Sequence, residues 1–196
     1  MKKQLYILIT ILACISFIVA GCGSGANKSK AADTAGTSST ETKTEFGHAN
    51  QKQKEIGKKF VGKIETTFAN YADEEKKLAD ELESIEKIEN QSTRLAKAYD
   101  IAVKRHNLAV KYYKKCDEFS TAGMEELTTL QAEKCRLKLQ QFFQTRADSQ
   151  ELVQKLYSGQ ISEEEYNSEQ EHQQGLQDRY VEDLKAYTKE LKQNLK

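Results

Sequence analysis

The sequence predicts an all-α protein: a signal peptide, a disordered tether, and then an elongated antiparallel helical bundle or coiled coil of three to four long helices. Three observations predict it. The 196 residues contain no proline and no tryptophan, and 31% of them are Asp, Glu, Lys or Arg. Ala, Glu, Lys, Leu and Gln crowd the part after residue 48, which is the composition of long helices. Apolar residues in that part recur at steps of three and four, the period of a helix with one buried stripe. About 150 residues suffice for one domain with a modest core.

The chain opens with Lys2 and Lys3, followed by an apolar run over residues 5–20 broken only by Thr10, Cys14 and Ser16. The run ends in small residues, as a cleavage site requires, whereas a spanning helix needs about 20 apolar residues and usually a polar stop. Its last quartet, Val19-Ala20-Gly21-Cys22, resembles the lipobox of bacterial lipoproteins. The resemblance covers about 22 residues and concerns anchoring alone. It implies removal of residues 1–21, a diacylglyceryl group on the Cys22 sulfur and an N-acyl chain on the new terminus. Buried acyl chains contribute about 0.8 kcal/mol per CH₂, and two chains anchor stably where one is marginal. The expected location is extracytoplasmic, lipid-anchored to the cell membrane. Gly23 stands where inner-membrane lipoproteins of two-membrane bacteria often carry aspartate, so the alternative is the periplasmic face of an outer membrane.

From Gly23 to Glu45 no large apolar side chain occurs until Phe46, so nothing there offsets the entropy cost of ordering. Residues 22–48 are read as a flexible tether with a reach near 25 to 30 Å. The domain therefore works close to its membrane.

Residues 49–196 form the predicted bundle. In the first helix, from about 49 to 89, Ile64, Phe68, Tyr71, Leu78, Leu82 and Ile85 make a heptad seam with one member missing, and Glu75 fills that position. Gly57 and Gly62 weaken its first turns by about 1 kcal/mol each. A second helix, from about 92 to 119 with Ser92 as N-cap, carries Leu95, Tyr99, Ala102, His106, Ala109, Tyr113 and Cys116. One continuous helix over 49–119 is the alternative, because neither Pro nor Gly marks the turn.

The third helix follows "FSTAG", where Glu125 and Glu126 suit the positive end of a helix dipole. Leu127, Leu130, Leu137, Leu139, Phe142, Phe143, Leu152, Val153 and Leu156 give it a wide apolar stripe, as packing against two neighbours requires. Gly159 closes it, and Ser162 with Glu165 forms a capping box for the next helix, with Ile161 and Tyr166 at the staple positions. "LYSGQISEEEYNSEQ" also resembles the short helical module G-x-I-[ST]-x-x-E-[FY] of many bacterial proteins, a likeness that carries no function. The fourth helix spans about 163 to 194, with Tyr180, Leu184, Tyr187 and Leu191 on one stripe. Between Tyr166 and Leu176 its inward positions are mostly Gln, which predicts loose packing or a partner-facing surface.

Lys plus Arg and Asp plus Glu number 30 each. Loss of Lys2 and Lys3 leaves the mature chain about −2, without the basic face that nucleic acid needs. No catalytic constellation occurs: there is no H-E-x-x-H, no G-x-S-x-G, no phosphate-cradling loop and no C-x-x-C. The histidines are His48, His106 and His172; His106 lies on the second helix's seam and is read as a space-filling core residue. Glu169-x-x-His172 has the spacing of a carboxylate-bridged di-iron bundle, but that site needs two such pairs. Cys116 and Cys135 remain after the signal is lost and Cys22 is acylated. They are read as buried free thiols, with a disulfide as the alternative if the loop between them is centred near 125. Tyrosines exceed what the seams need, and Tyr112, Tyr166, Tyr180 and Tyr187 are the candidates for a partner-binding surface.

The function expected from these observations is a non-enzymatic helical interaction or scaffold protein, binding a protein or cell-wall partner from its lipid anchor. It needs no cofactor or metal, and its oligomeric state stays open. The alternative is a ferritin-like metal or redox bundle enzyme.

Overall fold

Asn50 begins the first helix. Its side chain accepts from the backbone N–H of Gln53, and the Gln53 side chain reaches back to the Asn50 N–H at 2.9 Å, a reciprocal capping box. The computed structural model describes residues 49–196, which form one compact unit. The expectations for the signal peptide at 1–21, the tether at 22–48 and Cys22 lie outside the described residues.

Four long helices follow one another: α1 Gln51–Ile85, α2 Gln91–Lys115, α3 Glu126–Tyr157 and α4 Glu163–Asn194. A short 3-10 turn, Cys116–Glu118, closes α2, where the sequence predicts α-helix to 119. No strand occurs among the described residues, and none of their helices is long and apolar enough to cross a membrane.

The alternative of one helix over 49–119 fails at residues 86–90, where the chain turns without Pro or Gly. Asn90 causes the restart: its side chain accepts from the Thr93 N–H at 2.9 Å. The expected cap, Ser92, lies inside the first turn. Asn and Ser cap about equally well, so composition alone does not choose between them.

The α3–α4 hairpin is built as the sequence predicts. Gly159 has φ 72, Gln160 N–H donates to Lys155 O and Gly159 N–H to Leu156 O, the paired bonds of a Schellman closure. Two residues later the Ser162–Glu165 capping box opens α4. At the other turn Gly123 also has positive φ, and Glu125 caps α3 through the Thr128 N–H.

Short connections make sequential neighbours antiparallel. Lys104 pairs with Glu81 and Lys111 with Glu74 between α1 and α2. Asn194 donates to Gln131, and Thr188 to Cys135, between α4 and α3. Lys192 pairs with Glu65, so α4 also runs antiparallel to α1. The bundle is thus up-down-up-down, with α3 packed most extensively on α2 and α4.

Its main core runs through Phe60, Ile64, Tyr71, Leu108, Tyr112, Cys116, Cys135, Leu139, Phe143 and Leu191. Edge-on aromatic pairs fill the middle, with ring centroids of Tyr71 and Phe143 4.9 Å apart and those of Tyr71 and Tyr112 5.4 Å apart. At the end where α1 starts, Leu195 seats on Gly57 so closely that a Cβ there would lie 2.5 Å from Leu195 Cδ2. Gly57 is therefore a packing notch as well as a weak helix former.

Candidate functional site

The most unusual chemistry of the body lies at its centre. Glu75 takes the inward α1 position one turn beyond Tyr71 and is 0% exposed. Arg105 on α2 and Arg146 on α3 face it, at 2% and 3% exposure. Arg105 Nε donates to Glu75 Oε1 at 2.8 Å, and its Nη2 lies 2.5 Å from the same oxygen. Arg146 Nη2 pairs with that oxygen too. Arg146 also donates through Nε to the Tyr71 hydroxyl and through Nη1 to Gln177 Oε1, each at 3.2 Å. Gln177 Nε2 then donates to Ser149 Oγ at 2.8 Å. One polar layer therefore ties all four helices together.

Charge explains why the Glu75 carboxylate stays ionised. Burial alone would push the Glu75 carboxyl up, but Arg146 and Arg105 outweigh it and hold the carboxyl below its usual range. Burial, followed by the charge on Glu75, pushes the Tyr71 hydroxyl up to about 12. Two guanidinium groups against one carboxylate leave a buried excess of one positive charge. Such clusters contribute little net stability against an apolar core, but they penalise any register that separates their members.

Sequence spacing misses this layer on two helices. It phases α2 on Tyr99, His106 and Tyr113, whereas the buried residues are Ala98, Ile101, Ala102, Arg105, Leu108, Ala109 and Tyr112. Nothing local in the sequence marks Arg105 as inward, because charge normally marks a solvent face. Leu95 and Tyr99, expected in the seam, are 40% and 38% exposed. On α3, Leu130 and Leu137 point outward at 55% and 51%, while Gln131, Thr145, Arg146, Ser149 and Gln150 are buried. The signal that could have found the layer was Glu75 itself, since a carboxylate on an inward seam needs cations on its neighbours.

The tyrosine surface expected from the sequence is corrected accordingly. Tyr112 is buried, its hydroxyl donating to Glu74 Oε1 at 2.6 Å, and Tyr166 is buried at the staple position of α4. Neither presents a face to a partner. Tyr180 and Tyr187 are half-buried, and Lys138 and Lys134 lie 5.2 and 5.7 Å from their ring centroids. The glutamines between Tyr166 and Leu176 are likewise not a loose surface throughout, because Gln170 is buried.

Cys116 and Cys135 are free thiols and both fully buried, so the disulfide alternative is not formed. Burial pushes their thiols up to about 12 and about 11. His106 is half-buried, with Nδ1 3.1 Å from the Ala147 carbonyl, which fixes α2 against α3. Glu169 and His172 are exposed on α4. No group of three His, Cys, Asp or Glu suited to a metal ion occurs among the described residues. Comparison with protein-family models, curated proteins and solved structures finds no match.

Proposed function

We propose that this chain is a bacterial lipoprotein, held by acyl chains on Cys22 at the extracytoplasmic surface of a cell membrane, whose helical body is a non-enzymatic interaction or scaffold module for a protein or cell-wall partner. The observation that carries the anchoring is Val19-Ala20-Gly21-Cys22 at the end of a charged and then apolar leader.

The interaction reading draws support from the outer face of α3. Leu130 and Leu137 stand one heptad apart on the solvent-facing side of its N-terminal half, about half exposed, where burial against a partner would be favourable. The ferritin-like alternative draws none: the bundle centre, where such a site sits, holds two arginines that oppose a further cation.

A photo-crosslinking residue at position 137, with the exposed position 83 on α1 as control, tests the interaction in intact cells. The proposal expects a discrete adduct with an envelope component from 137 alone, lost with Leu130→Ser. Equal labelling from both positions, or none from 137, contradicts it.

A further inference from the structure

We propose that five lysines on the α1–α4 face, at the end of the bundle where the chain joins residues 22–48, form a docking surface for anionic phospholipid headgroups. Lys185, Lys189 and Lys192 follow a four-three spacing, so they share one stripe of α4. The ion pair between Lys192 and Glu65 turns that stripe toward α1. On α1, Lys58 stands two turns before Glu65 and Lys54 one turn before that, all on one side of the helix. Leu195, just beyond α4, seats on the neighbouring Gly57. Two helices therefore bring their lysines to one surface. Lys54 is half-buried and the other four are exposed, and of the five only Lys192 has an ion-pair partner among the described residues.

Helix stability does not account for the patch. A helix dipole favours cations within the last turn alone, and in α4 that turn holds Lys192 but neither Lys185 nor Lys189. Lys54 and Lys58 stand in the first two turns of α1, whose first turn holds no acid, and there a cation opposes the dipole. Lysines one turn apart also repel each other. The arrangement is unfavourable in the free body, and an anionic surface relieves it.

Position selects the partner. The body joins residues 22–48 at residue 49, next to the Asn50 cap, so this end lies within reach of the membrane that Cys22 would anchor; the choice of lipid rests on that reading. The 35 residues of α1 carry its other end about 50 Å away. At that far end residues 163–178 of α4 hold six acids and no Lys or Arg, which an anionic surface repels. Equal totals of opposite charge over the whole sequence conceal this division. Each lysine at such a surface strengthens attachment about fivefold, so the patch orients a body that the acyl chains merely retain.

Lysine acetylation by a water-soluble reagent, read by peptide mass on the full-length protein in vesicles, tests the surface. On vesicles with about one-third phosphatidylglycerol, Lys58, Lys185 and Lys189 should react about threefold more slowly, or slower still, than on pure phosphatidylcholine. Salt at about 1 M, where the screening length is about 3 Å, should restore their reactivity. The exposed Lys87 and Lys97 at the far end should not change. Lys185→Glu with Lys189→Glu should abolish the protection of Lys58 on the other helix. Equal rates on the two kinds of vesicle, or equal protection at Lys87 and Lys97, would overturn the proposal. Protection by soluble poly(glycerol phosphate) but not by vesicles would overturn it in favour of a wall polymer. Flotation separates this surface from the anchor. Protein that floats with neutral vesicles but shows no protection on anionic ones keeps the acyl anchor and refutes the docking. Protein that floats with anionic vesicles alone, with these lysines protected, supports the docking and contradicts the acyl anchor.

Discussion

Arg146 on α3 and Glu75 on α1 form a buried ion pair across 71 positions of sequence, with the carboxylate at 0% exposure. A pair so remote in the chain and so far from water fixes the vertical alignment of two parallel helices that share no connecting loop. Arg105 joins the same oxygen from α2, so three helices are indexed on one atom.

Replacing Glu75 by Leu should therefore be severely destabilising, by about 3 to 5 kcal/mol, because two buried guanidinium groups lose their counter-charge. The triple change Glu75→Leu, Arg105→Met and Arg146→Leu should recover that loss or exceed it, since an apolar layer of similar volume avoids the desolvation cost. Denaturant midpoints of the two proteins check this. A single variant that loses under 1 kcal/mol would show that the cluster is not tightly coupled.

The same cluster sets an acid limit. The folded Glu75 pKa is depressed, with Arg146 and Arg105 overcoming burial, so its contribution is present above the unfolded glutamate value of about 4.3. It is lost as pH falls from there through the folded value. Stability should drop steeply below about pH 4, and Glu75→Gln should flatten that part of the profile. Equal slopes in both proteins would assign the acid sensitivity elsewhere.

Two glycines should respond with opposite sign. Gly159 holds φ 72 at the Schellman closure, so Gly159→Ala should cost about 1 to 2 kcal/mol. Gly175 lies inside α4 with open space where a Cβ would go, so Gly175→Ala should gain up to about 1 kcal/mol. Ser162→Ala, which removes the α4 cap, should lose about 0.5 to 2 kcal/mol. Thermal unfolding of the three variants measures all of this, and two glycine effects of the same sign would contradict the assigned backbone conformations.

The cysteines should be silent in the native state. With thiols pushed up to about 12 and about 11 by burial, Cys116 and Cys135 hold almost no thiolate at pH 8. An aromatic disulfide reagent should label them only at the rate of unfolding. The sign of the pH effect follows. Because the folded pKa values are raised, stability is full below the ordinary thiol value of about 8.5 and falls as pH rises from there toward 11 and 12. Rapid labelling without denaturant would show that the end of the bundle opens.

How much of this was legible in the sequence depended on whether the signal was local. The α3–α4 hairpin was legible because Gly159, Ser162 and Glu165 act on their own neighbours, and the observed bonds follow. The α1 seam was legible, with Glu75 as its odd member. The α2 phase was not, because Arg105 is inward only by virtue of a carboxylate 30 positions away. Tyr112 followed Arg105 inward for the same reason, two turns along one face. The Asn90 restart was not legible because Asn90 and Ser92 offer equivalent caps two residues apart. Leu130 and Leu137 looked like core from composition, and their outward direction appears only once Arg146 and Phe143 fix the rotation of α3.

The central claim is that Cys22 carries the lipid by which this helical body is displayed, and the mass of the mature N-terminal peptide from the native protein tests it most directly. A peptide that begins at Cys22 and carries diacylglyceryl is the result predicted, together with its disappearance when Cys22 is replaced by Ala. An unmodified peptide beginning elsewhere, or an intact Met1 terminus, would contradict the anchoring and the function proposed from it.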